Sequence, residues 1–471
     1  MSNNEKYFFL RIGSNKEKKY IKKMGTLFSG LLARANYFES ASGMLSGIFL
    51  KFDSLKPPTG FIIDPATYVF ALDPSFIRSW QKVNKKEAEK ILKEDLRLRE
   101  RERIPNDWIR KISNPTKRQE NKIEIFNIMS AYRKLADSYF DNDIASLVGK
   151  QALTKNNFTA SSLNNFVKNV ISYQDNAITS RYNTAKYSGF YDVVAKPIVV
   201  LSPYFRISNL EDFEFMVEIW KSFDSQYRKE NGAIVLQCTI DFLRDQSQLL
   251  LENLSSIRKN ILFLWIDGFD EVDALPEQLE AYVRFIVNTS SNGKQLINLY
   301  TGGLSPLLFP FGLSGMVNNV GYGMQREAEP VKGGIPTAQF YIPTLHVREQ
   351  VLASYDLFIK NKVGTTKELF YRDICSCPIC KEGIKNGVKD FIPFYGSVGL
   401  PKSNPESTKK YPTPIALNRC TFHFLLSRLR EYKWARTSQK KDVIGRLNEE
   451  ITIWHKNKDH LERLLVILQN I

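Results

Sequence analysis

Cysteine is scarce in this sequence, and long apolar runs are missing from it. Five cysteines occur among 471 residues, three of them within six positions, which is not the spacing of a disulfide framework. No apolar run approaches the roughly 18 residues that span a bilayer, and Ile261–Ile266 is among the longest. Residues 7–10, followed by Arg11, are too short for the apolar core of a signal peptide. We therefore expect a cytoplasmic protein with reduced thiols and no membrane partner.

A phosphate-binding glycine loop is also missing. Residues 262–267 form an apolar run that ends in Asp267 and is followed by Asp270 and Glu271, an arrangement typical of the metal-binding strand of an NTPase. Such a site also needs a G-x-x-x-x-G-K-[S/T] loop, and the chain has none. The sequence therefore excludes a P-loop ATPase and leaves Asp267 as a carboxylate at a strand end.

Acidic residues are outnumbered by basic ones. The chain has 66 Lys and Arg against 50 Asp and Glu, and its formal net charge is +16. This balance favours a polyanionic partner, nucleic acid before an anionic membrane surface. An ordinary basic enzyme is the alternative that charge alone leaves open.

Eight short β-rich runs are spread over the first 325 residues. Most are apolar throughout, as in parallel strands covered on both faces, and most are separated by stretches of helical periodicity. Eight such units predict an α/β fold with a (β/α)8 TIM-type barrel, and a doubly wound open sheet is the alternative. We assign the barrel to residues 1–330, with a helical insertion at about 76–165, and a zinc-binding helical subdomain to residues 331–471. The runs are residues 47–53, 61–64, 170–175, 197–202, 233–238, 261–267, 296–301 and 316–321.

Three thiols lie close together at Cys375, Cys377 and Cys380. Zinc prefers four tetrahedral nitrogen or sulfur ligands, and a short loop brings such ligands together at little entropic cost. His423 is the best fourth ligand, and Cys420, one helical turn earlier, is its competitor. Four protein ligands leave no open position, so we expect a structural Zn²⁺ ion. A set of free or redox-active thiols is the alternative.

These residues match the C-x-C-x-x-C…H pattern of the tRNA-guanine transglycosylase superfamily, which the sequence resembles over most of its length. Residues 63–70 are similar to the family's D-S-G-G-[FY]-Q-V-F segment and place Asp64 on its base-contacting aspartate, although both glycines are missing. Residues 234–244 are similar to its I-V-Q-G-G-x-x-x-x-L-R segment, with Gln237 displaced by one position. The resemblance implies a barrel enzyme that exchanges one purine base for another in a nucleic acid.

The last predicted strand departs from the family. The tRNA enzymes carry a nucleophilic aspartate in a G-[VI]-D-M-F-D-C-V-like segment, whereas residues 315–323 contain Asn318 and Asn319 but no carboxylate. This change and the lost glycines favour the DNA-directed 7-deazaguanine transglycosylase branch (DpdA type). Resemblance to that branch implies DNA as the substrate, 7-cyano-7-deazaguanine as the incoming base, and accessory proteins of a modification system.

Base exchange of this kind uses two carboxylates, and the carboxyl ends of barrel strands form the catalytic face. We expect Asp267 to be the relocated nucleophile, with Asp270 second, and Asp64 to transfer protons and recognise the base. Further base-site residues are expected to be Tyr68, Trp265, Asp175, Gln237, Gly302 and Gly303.

Basic residues near the zinc subdomain are expected to hold the DNA backbone in a salt-sensitive manner. Two other functions stay open: a tRNA-guanine transglycosylase with a relocated nucleophile, and a noncatalytic, zinc-stabilised nucleic-acid-binding homologue. The basic residues are Lys409, Lys410, Arg428, Arg430, Lys433, Arg436, Lys440 and Lys441.

Overall fold

The chain forms a nearly closed barrel of eight parallel strands, seen in a computed structural model. The structure describes residues 5–14, 17–41, 45–49, 60–74, 131–182, 196–300, 302–320, 328, 337–399 and 411–471. Neighbouring strands pair in the order β3-β2-β1-β9-β8-β7-β6-β4, and a parallel bridge between Ile62 and Val199 brings β3 back to β4. The strands are β1 Tyr7–Ile12, β2 Gly30–Arg34, β3 Gly60–Asp64, β4 Val200–Leu201, β5 Arg206–Ile207, β6 Gly232–Cys238, β7 Ile261–Ile266, β8 Gln295–Asn298 and β9 Leu313–Asn319, with β5 pairing to β6 beyond β4.

Both faces of these strands are covered, which is why the strands are almost continuously apolar. All six residues of β7 are buried, as are all seven of β6. Helices lie around the barrel, and side chains such as Asn209 and Thr239 cap their amino termini. The helices are α1 Lys18–Met24, α2 Ala35–Ser40, α3 Asn142–Leu147, α4 Ala160–Tyr182, α5 Leu210–Gln226, α6 Ile240–Asp245, α7 Ser247–Ser256 and α8 Pro276–Ser291.

A mostly helical region follows the barrel and packs against it. Tyr432 donates a hydrogen bond to the carbonyl of Lys6 at 2.7 Å, and Arg463 donates one to the carbonyl of Val272 at 2.6 Å. Its elements are β10 Gln339–Ile342, β11 Val347–Gln350, α9 Val351–Asn361, α10 Lys367–Asp373, α11 Pro378–Gly383, α12 Phe391–Tyr395, β12 Val398–Gly399, β13 Tyr411–Pro412, α13 Pro414–Ala435, α14 Lys440–Ile453 and α15 Asp459–Gln469.

The strand register explains why polar groups gather at one end of the barrel. Arg34 pairs with Asp64, Gln237 with Trp265, and Arg11 with Asn319. Residues side by side in parallel strands share a face, and all six stand at or near the carboxyl ends of their strands. The residues two positions earlier on the same faces are apolar and buried, namely Phe9, Leu32, Ile62, Val235, Phe263 and Val317.

Two of the eight predicted strands are wrong, and two barrel strands were missed. Residues 170–175 lie inside the long helix α4. Of the predicted strand 47–53, residues 47–49 belong to a helical stretch at 45–49, and 50–53 lie outside the described residues. The barrel instead uses β1 and β2 near the amino end. Tertiary contacts override the β-branched composition of 170–175, because Gln174 on α4 hydrogen-bonds both backbone groups of Leu201.

The predicted insertion at 76–165 lies largely outside the described residues, which resume at 131 with helical segments. The predicted domain boundary at 330 also falls outside them. Among the described helices, none is both long enough and apolar enough to cross a membrane.

Candidate active site and metal cluster

Asp64 ends β3 and is completely buried at the mouth of the barrel. Its Oδ1 accepts hydrogen bonds from the Tyr204 hydroxyl at 2.7 Å and from the Ala66 amide at 2.9 Å. Ala66 takes a left-handed φ of 52°, which turns that amide back toward the carboxylate. The Oδ2 atom has no hydrogen-bond partner among the described residues. One carboxylate oxygen is thus fixed by the fold, and the other is available to a ligand.

Aromatic rings surround this carboxylate. Tyr68 stacks on Tyr204 with centroids 5.7 Å apart and meets Trp265 edge-on at 4.8 Å, while Trp265 lies 4.5 Å from Tyr300. Burial and the charge of Asp64 raise the pKa of Tyr204 well above its ordinary value, so its hydroxyl stays a donor. The rings form flat apolar walls beside a polar group, as a site for a planar base requires.

Gln237 is a second buried polar side chain at this end of the barrel. It is fully buried beside Trp265, and neither its amide nitrogen nor its amide oxygen has a partner among the described residues. Leaving a buried amide unpaired costs about 1–3 kcal/mol per group, which makes such groups in a native fold a pointer to a ligand. Asp64 and Gln237 together offer a carboxylate oxygen, an amide donor and an amide acceptor.

Arg34 stands next to Asp64 and supplies positive charge to the mouth. Its Nη1 donates to the Tyr68 hydroxyl at 3.3 Å. Burial alone would lower the pKa of Arg34, but the Tyr68, Tyr132 and Tyr300 oxygens and the Asp64 carboxylate outweigh it, and the net effect is an increase. Arg34 therefore remains a guanidinium at every physiological pH.

Asp267 follows β7 directly and is held on both oxygens. Its Oδ2 forms an ion pair with Nε of Arg206 at 2.8 Å, and its Oδ1 accepts from the backbone amide of Ala328. Arg206 lies on β5 in register with Gln237. The structure therefore places Asp267 at the same end of the barrel as Asp64, in a fixed orientation.

Asp175 does not join this group. It sits on α4, and its carboxylate pairs with Nζ of Lys229 at 3.2 Å. Lys229 precedes the first residue of β6, Gly232, so this pair marks the amino ends of the strands. The predicted strand end at Asp175 is wrong because the residue belongs to an outer helix.

Gly302 and Gly303 follow β8 and are packed tightly against the protein itself. A Cβ on Gly302 would lie 2.3 Å from Oε2 of Glu271, and one on Gly303 would lie 1.5 Å from the carbonyl oxygen of His346. Glu271 also accepts the Leu304 amide at 2.7 Å, and burial raises its pKa to about 7. Both glycines were predicted to lie at the base site, and the structure packs them against Glu271 and His346.

Replacing Gly303 by Ala should therefore destabilise the fold by about 2–3 kcal/mol, because a backbone carbonyl cannot move aside as a side chain can. Gly445 on α14 has open space around its Cβ position, and Gly445→Ala should raise stability by about 0.5–1 kcal/mol through helix propensity. Urea unfolding of both variants measures the difference. Equal stabilities would contradict the packing described for Gly303.

The Cys3His cluster forms as predicted. Cys375, Cys377, Cys380 and His423 are buried, and their ligand atoms all lie within 4.8 Å of one another. Nδ1 of His423 is 3.3 Å from Sγ of Cys377 and 3.5 Å from Sγ of Cys380. Cys377 caps α11, whose first turn carries Cys380, so a short helix sets the spacing of two thiols. This arrangement can hold a metal ion.

The other ring nitrogen of His423 fixes the imidazole. Nε2 donates to the Tyr341 carbonyl at 2.6 Å, which leaves the Nδ1 lone pair directed at the sulfurs. The ring also stacks on Phe340 at 4.0 Å. Cys420, the predicted competitor, lies outside the cluster, and burial raises its pKa to about 12. Cys420 is therefore an ordinary buried thiol.

A buried polar network joins this cluster to the barrel mouth. Arg428 on α13 is completely buried and donates to the carbonyls of Gly303 at 2.7 Å and Gly302 at 3.1 Å. It also binds Glu431 at 2.8 Å and the Tyr341 hydroxyl at 3.0 Å. Arg428 thus connects parts of the protein interior. Its predicted role as a surface contact to DNA is wrong because it is not exposed.

The remaining predicted backbone contacts have different placements. Arg430, Lys433, Arg436, Lys440 and Lys441 are exposed on α13 and α14 or between them, while Lys409 and Lys410 lie outside the described residues.

Sequence reasoning missed Arg34, Tyr204 and Arg206. Arg34 ends an apolar strand in the same way as Asp64 does, so recognition of β2 would have identified it. Tyr204 and Arg206 carry no such signal, because their positions depend on how the β4–β5 segment reaches Asp64 and Asp267.

Comparisons with known proteins identify no relative of this chain. No family model, no curated protein and no solved structure matches the chain.

Proposed function

We propose that this protein is a base-exchange transglycosylase that replaces guanine in DNA with a 7-deazaguanine such as 7-cyano-7-deazaguanine. The observation that carries the proposal is that Asp64 Oδ2 and the Gln237 amide are both buried at this end of the barrel without partners among the described residues, beside the rings of Tyr68, Tyr204 and Trp265. A purine presents hydrogen-bonding groups on its edge and flat faces on either side, and this site complements both. The choice of DNA rests on the sequence resemblance to the DNA-directed branch.

The reaction needs a nucleophile and a proton carrier. In the proposed mechanism, a carboxylate oxygen of Asp267 attacks the sugar C1′, the C1′–N9 bond breaks, and the departing guanine takes a proton from Asp64. The incoming base then returns a proton from its N9 to Asp64, and its N9 displaces Asp267 from C1′. Oδ2 of Asp64 suits the carrier role because Tyr204 and Ala66 occupy only Oδ1.

Arg206 and the Ala328 amide would orient Asp267 for this attack. An ionised carboxylate has about four acceptor positions, so two hydrogen bonds leave room for bond formation to carbon. Because Asp64 and Gln237 are buried, the mouth must open for a flipped-out nucleotide to enter.

We further propose that the barrel is of the (β/α)8 TIM type, with the zinc-binding subdomain following it, and that the Cys3His cluster holds a structural Zn²⁺ ion. Three sulfurs and one imidazole nitrogen are the donor set that zinc prefers, and four protein ligands complete a tetrahedral shell. A closed shell has no position for water or substrate. The ion would supply folding energy and leave the base chemistry to the barrel residues.

A noncatalytic nucleic-acid-binding homologue is the second candidate. It is favoured by the last barrel strand, where Asn319 faces the mouth, hydrogen-bonded to Arg11 at 2.8 Å, and no carboxylate is present.

The test incubates the purified protein with duplex DNA and, separately, with tRNA, each in the presence of labelled 7-cyano-7-deazaguanine. Mass spectrometry of the nucleosides should detect incorporation into DNA, and Asp267→Ala should abolish it. Incorporation into tRNA alone would show a tRNA-directed enzyme. Absence of exchange in both, with tight salt-sensitive binding and candidate accessory proteins supplied, would establish the noncatalytic homologue.

A further inference from the structure

A surface cleft lies beside the Cys3His cluster. Its volume is about 320 Å³, within the range of small-ligand sites. Cys375, Ser427 and Glu431 contribute to its buried floor, and Ser427 contacts the metal-binding thiol, with Oγ 3.6 Å from Sγ of Cys375. Arginines and a tryptophan form the sides: Arg372, Arg430, Arg446 and Trp434.

The positive charge of this cleft is only partly neutralised. Arg372 pairs with Asp373 at 2.6 Å, and Arg446 pairs with Glu450 at 2.7 Å. Arg430 instead donates to the hydroxyl of Ser376 at 3.2 Å and has no carboxylate partner among the described residues. The cleft therefore presents one guanidinium and one hydroxyl that an anion can bind together.

Glu431 is the carboxylate among the described residues that line the cleft, and it repels an anion only weakly. Glu431 accepts from the Tyr341 hydroxyl at 2.8 Å and pairs with Arg428 at 2.8 Å. Burial raises the pKa of Glu431, but Arg428, His346 and Arg446 together outweigh burial and hold that pKa below its ordinary value. The negative charge of Glu431 is thus already compensated by neighbouring cationic groups, one of which, Arg446, also lines the cleft.

The cleft stands at the same end of the barrel as Asp64. Thr344 in the β10–β11 turn lines the cleft, and His346 in the same turn packs against Gly303 at the carboxyl end of β8. A strand whose base enters the mouth would therefore run past this turn.

We propose that this cleft binds a backbone phosphate of the nucleic-acid strand whose base enters the barrel, with Arg430 and Ser376 as its main contacts. The inference rests on the proposed function for the identity of the strand. A phosphodiester carries one negative charge and two acceptor oxygens, which matches the guanidinium and hydroxyl. Arg446 also lines the cleft and stacks on Trp434, with its guanidinium carbon 4.4 Å from the ring centroid.

The experiment measures binding of a fluorescein-labelled single-stranded DNA oligonucleotide to the full chain by fluorescence anisotropy over a range of KCl concentrations. Arg430→Gln should raise Kd about tenfold at roughly 0.1 M salt, equally for different base sequences, and reduce the salt-dependence slope by about 0.7. Ser376→Asp, which adds a carboxylate opposite Arg430, should weaken binding at least as much. Arg284→Gln is the matched control, because Arg284 is an exposed arginine on α8 paired with Glu280.

Equal Kd values for Arg430→Gln, Ser376→Asp and Arg284→Gln would overturn the proposal. Free inorganic phosphate and dGMP serve as competitors. If dGMP binds more tightly than the oligonucleotide and this binding depends on Arg430, the cleft binds a free nucleotide and the proposal is overturned. Failure of the proposed function and failure of this inference are distinguishable. If the proposed function is wrong, the wild type shows no base exchange, but Arg430→Gln still weakens DNA binding.

Discussion

Asp64→Asn is expected to slow base exchange by about 10³-fold while leaving the fold intact. Loss of a general acid–base group costs about 10²–10⁴ in rate. The amide oxygen of Asn can still accept the hydrogen bonds of Tyr204 and Ala66, which both go to one oxygen of Asp64. The NH₂ group of Asn takes the place of Oδ2, which has no partner among the described residues. This NH₂ group cannot carry the proton between the two bases.

Single-turnover incorporation of labelled 7-cyano-7-deazaguanine measures the rate, and urea unfolding checks the fold. Asp267→Asn provides the comparison. The proposed mechanism predicts a covalent protein–DNA adduct that a denaturing gel would detect; Asp267→Asn should abolish this adduct, whereas Asp64→Asn should slow its formation. An Asp64→Asn enzyme with the wild-type exchange rate would exclude Asp64 from proton transfer.

The same site shows how far the sequence could predict this structure. Asp64, Gln237 and Trp265 were predictable because each stands at or near the end of an apolar strand, and parallel strands bring their carboxyl ends together. The Cys3His cluster was predictable because three of its ligands are adjacent in the chain, which fixes their proximity locally.

Other features depend on packing between distant segments. The run at 170–175 is rich in β-forming residues, yet it forms part of the 23-residue helix α4, whose Gln174 binds the backbone of Leu201. The ion pair of Asp267 with Arg206 and the contact of Gly303 with His346 join residues far apart in sequence. Strand-end position predicted where Asp267 lies, but no local pattern indicates what neutralises it.

Loss of the proposed Zn²⁺ ion should lower the stability of the whole C-terminal region and loosen the barrel mouth. Cys380→Ser removes one of four ligands, and the free energy of unfolding should fall by about 3 kcal/mol or more, a part of the ~10–16 kcal/mol that zinc supplies to peptide domains. Metal content should fall from about one ion per chain to near zero. Cys420→Ser is the matched control, because Cys420 is a buried thiol on the same helix as His423 and lies outside the cluster.

The effect on the mouth follows from a chain of contacts. His423 binds the Tyr341 carbonyl, the Tyr341 hydroxyl meets Arg428, and Arg428 binds the carbonyls of Gly302 and Gly303. Without the ion, Nδ1 of His423 loses its proposed partner and only the Tyr341 carbonyl and Phe340 hold the ring, so the chain of contacts should weaken and the loop after β8 should exchange its amide hydrogens faster. Hydrogen–deuterium exchange across residues 302–311 and elemental analysis measure both effects in the same samples. Metal loss in Cys380→Ser with unchanged exchange at this loop would show that the network is held by the barrel alone, whereas faster exchange would show that the cluster supports the barrel mouth.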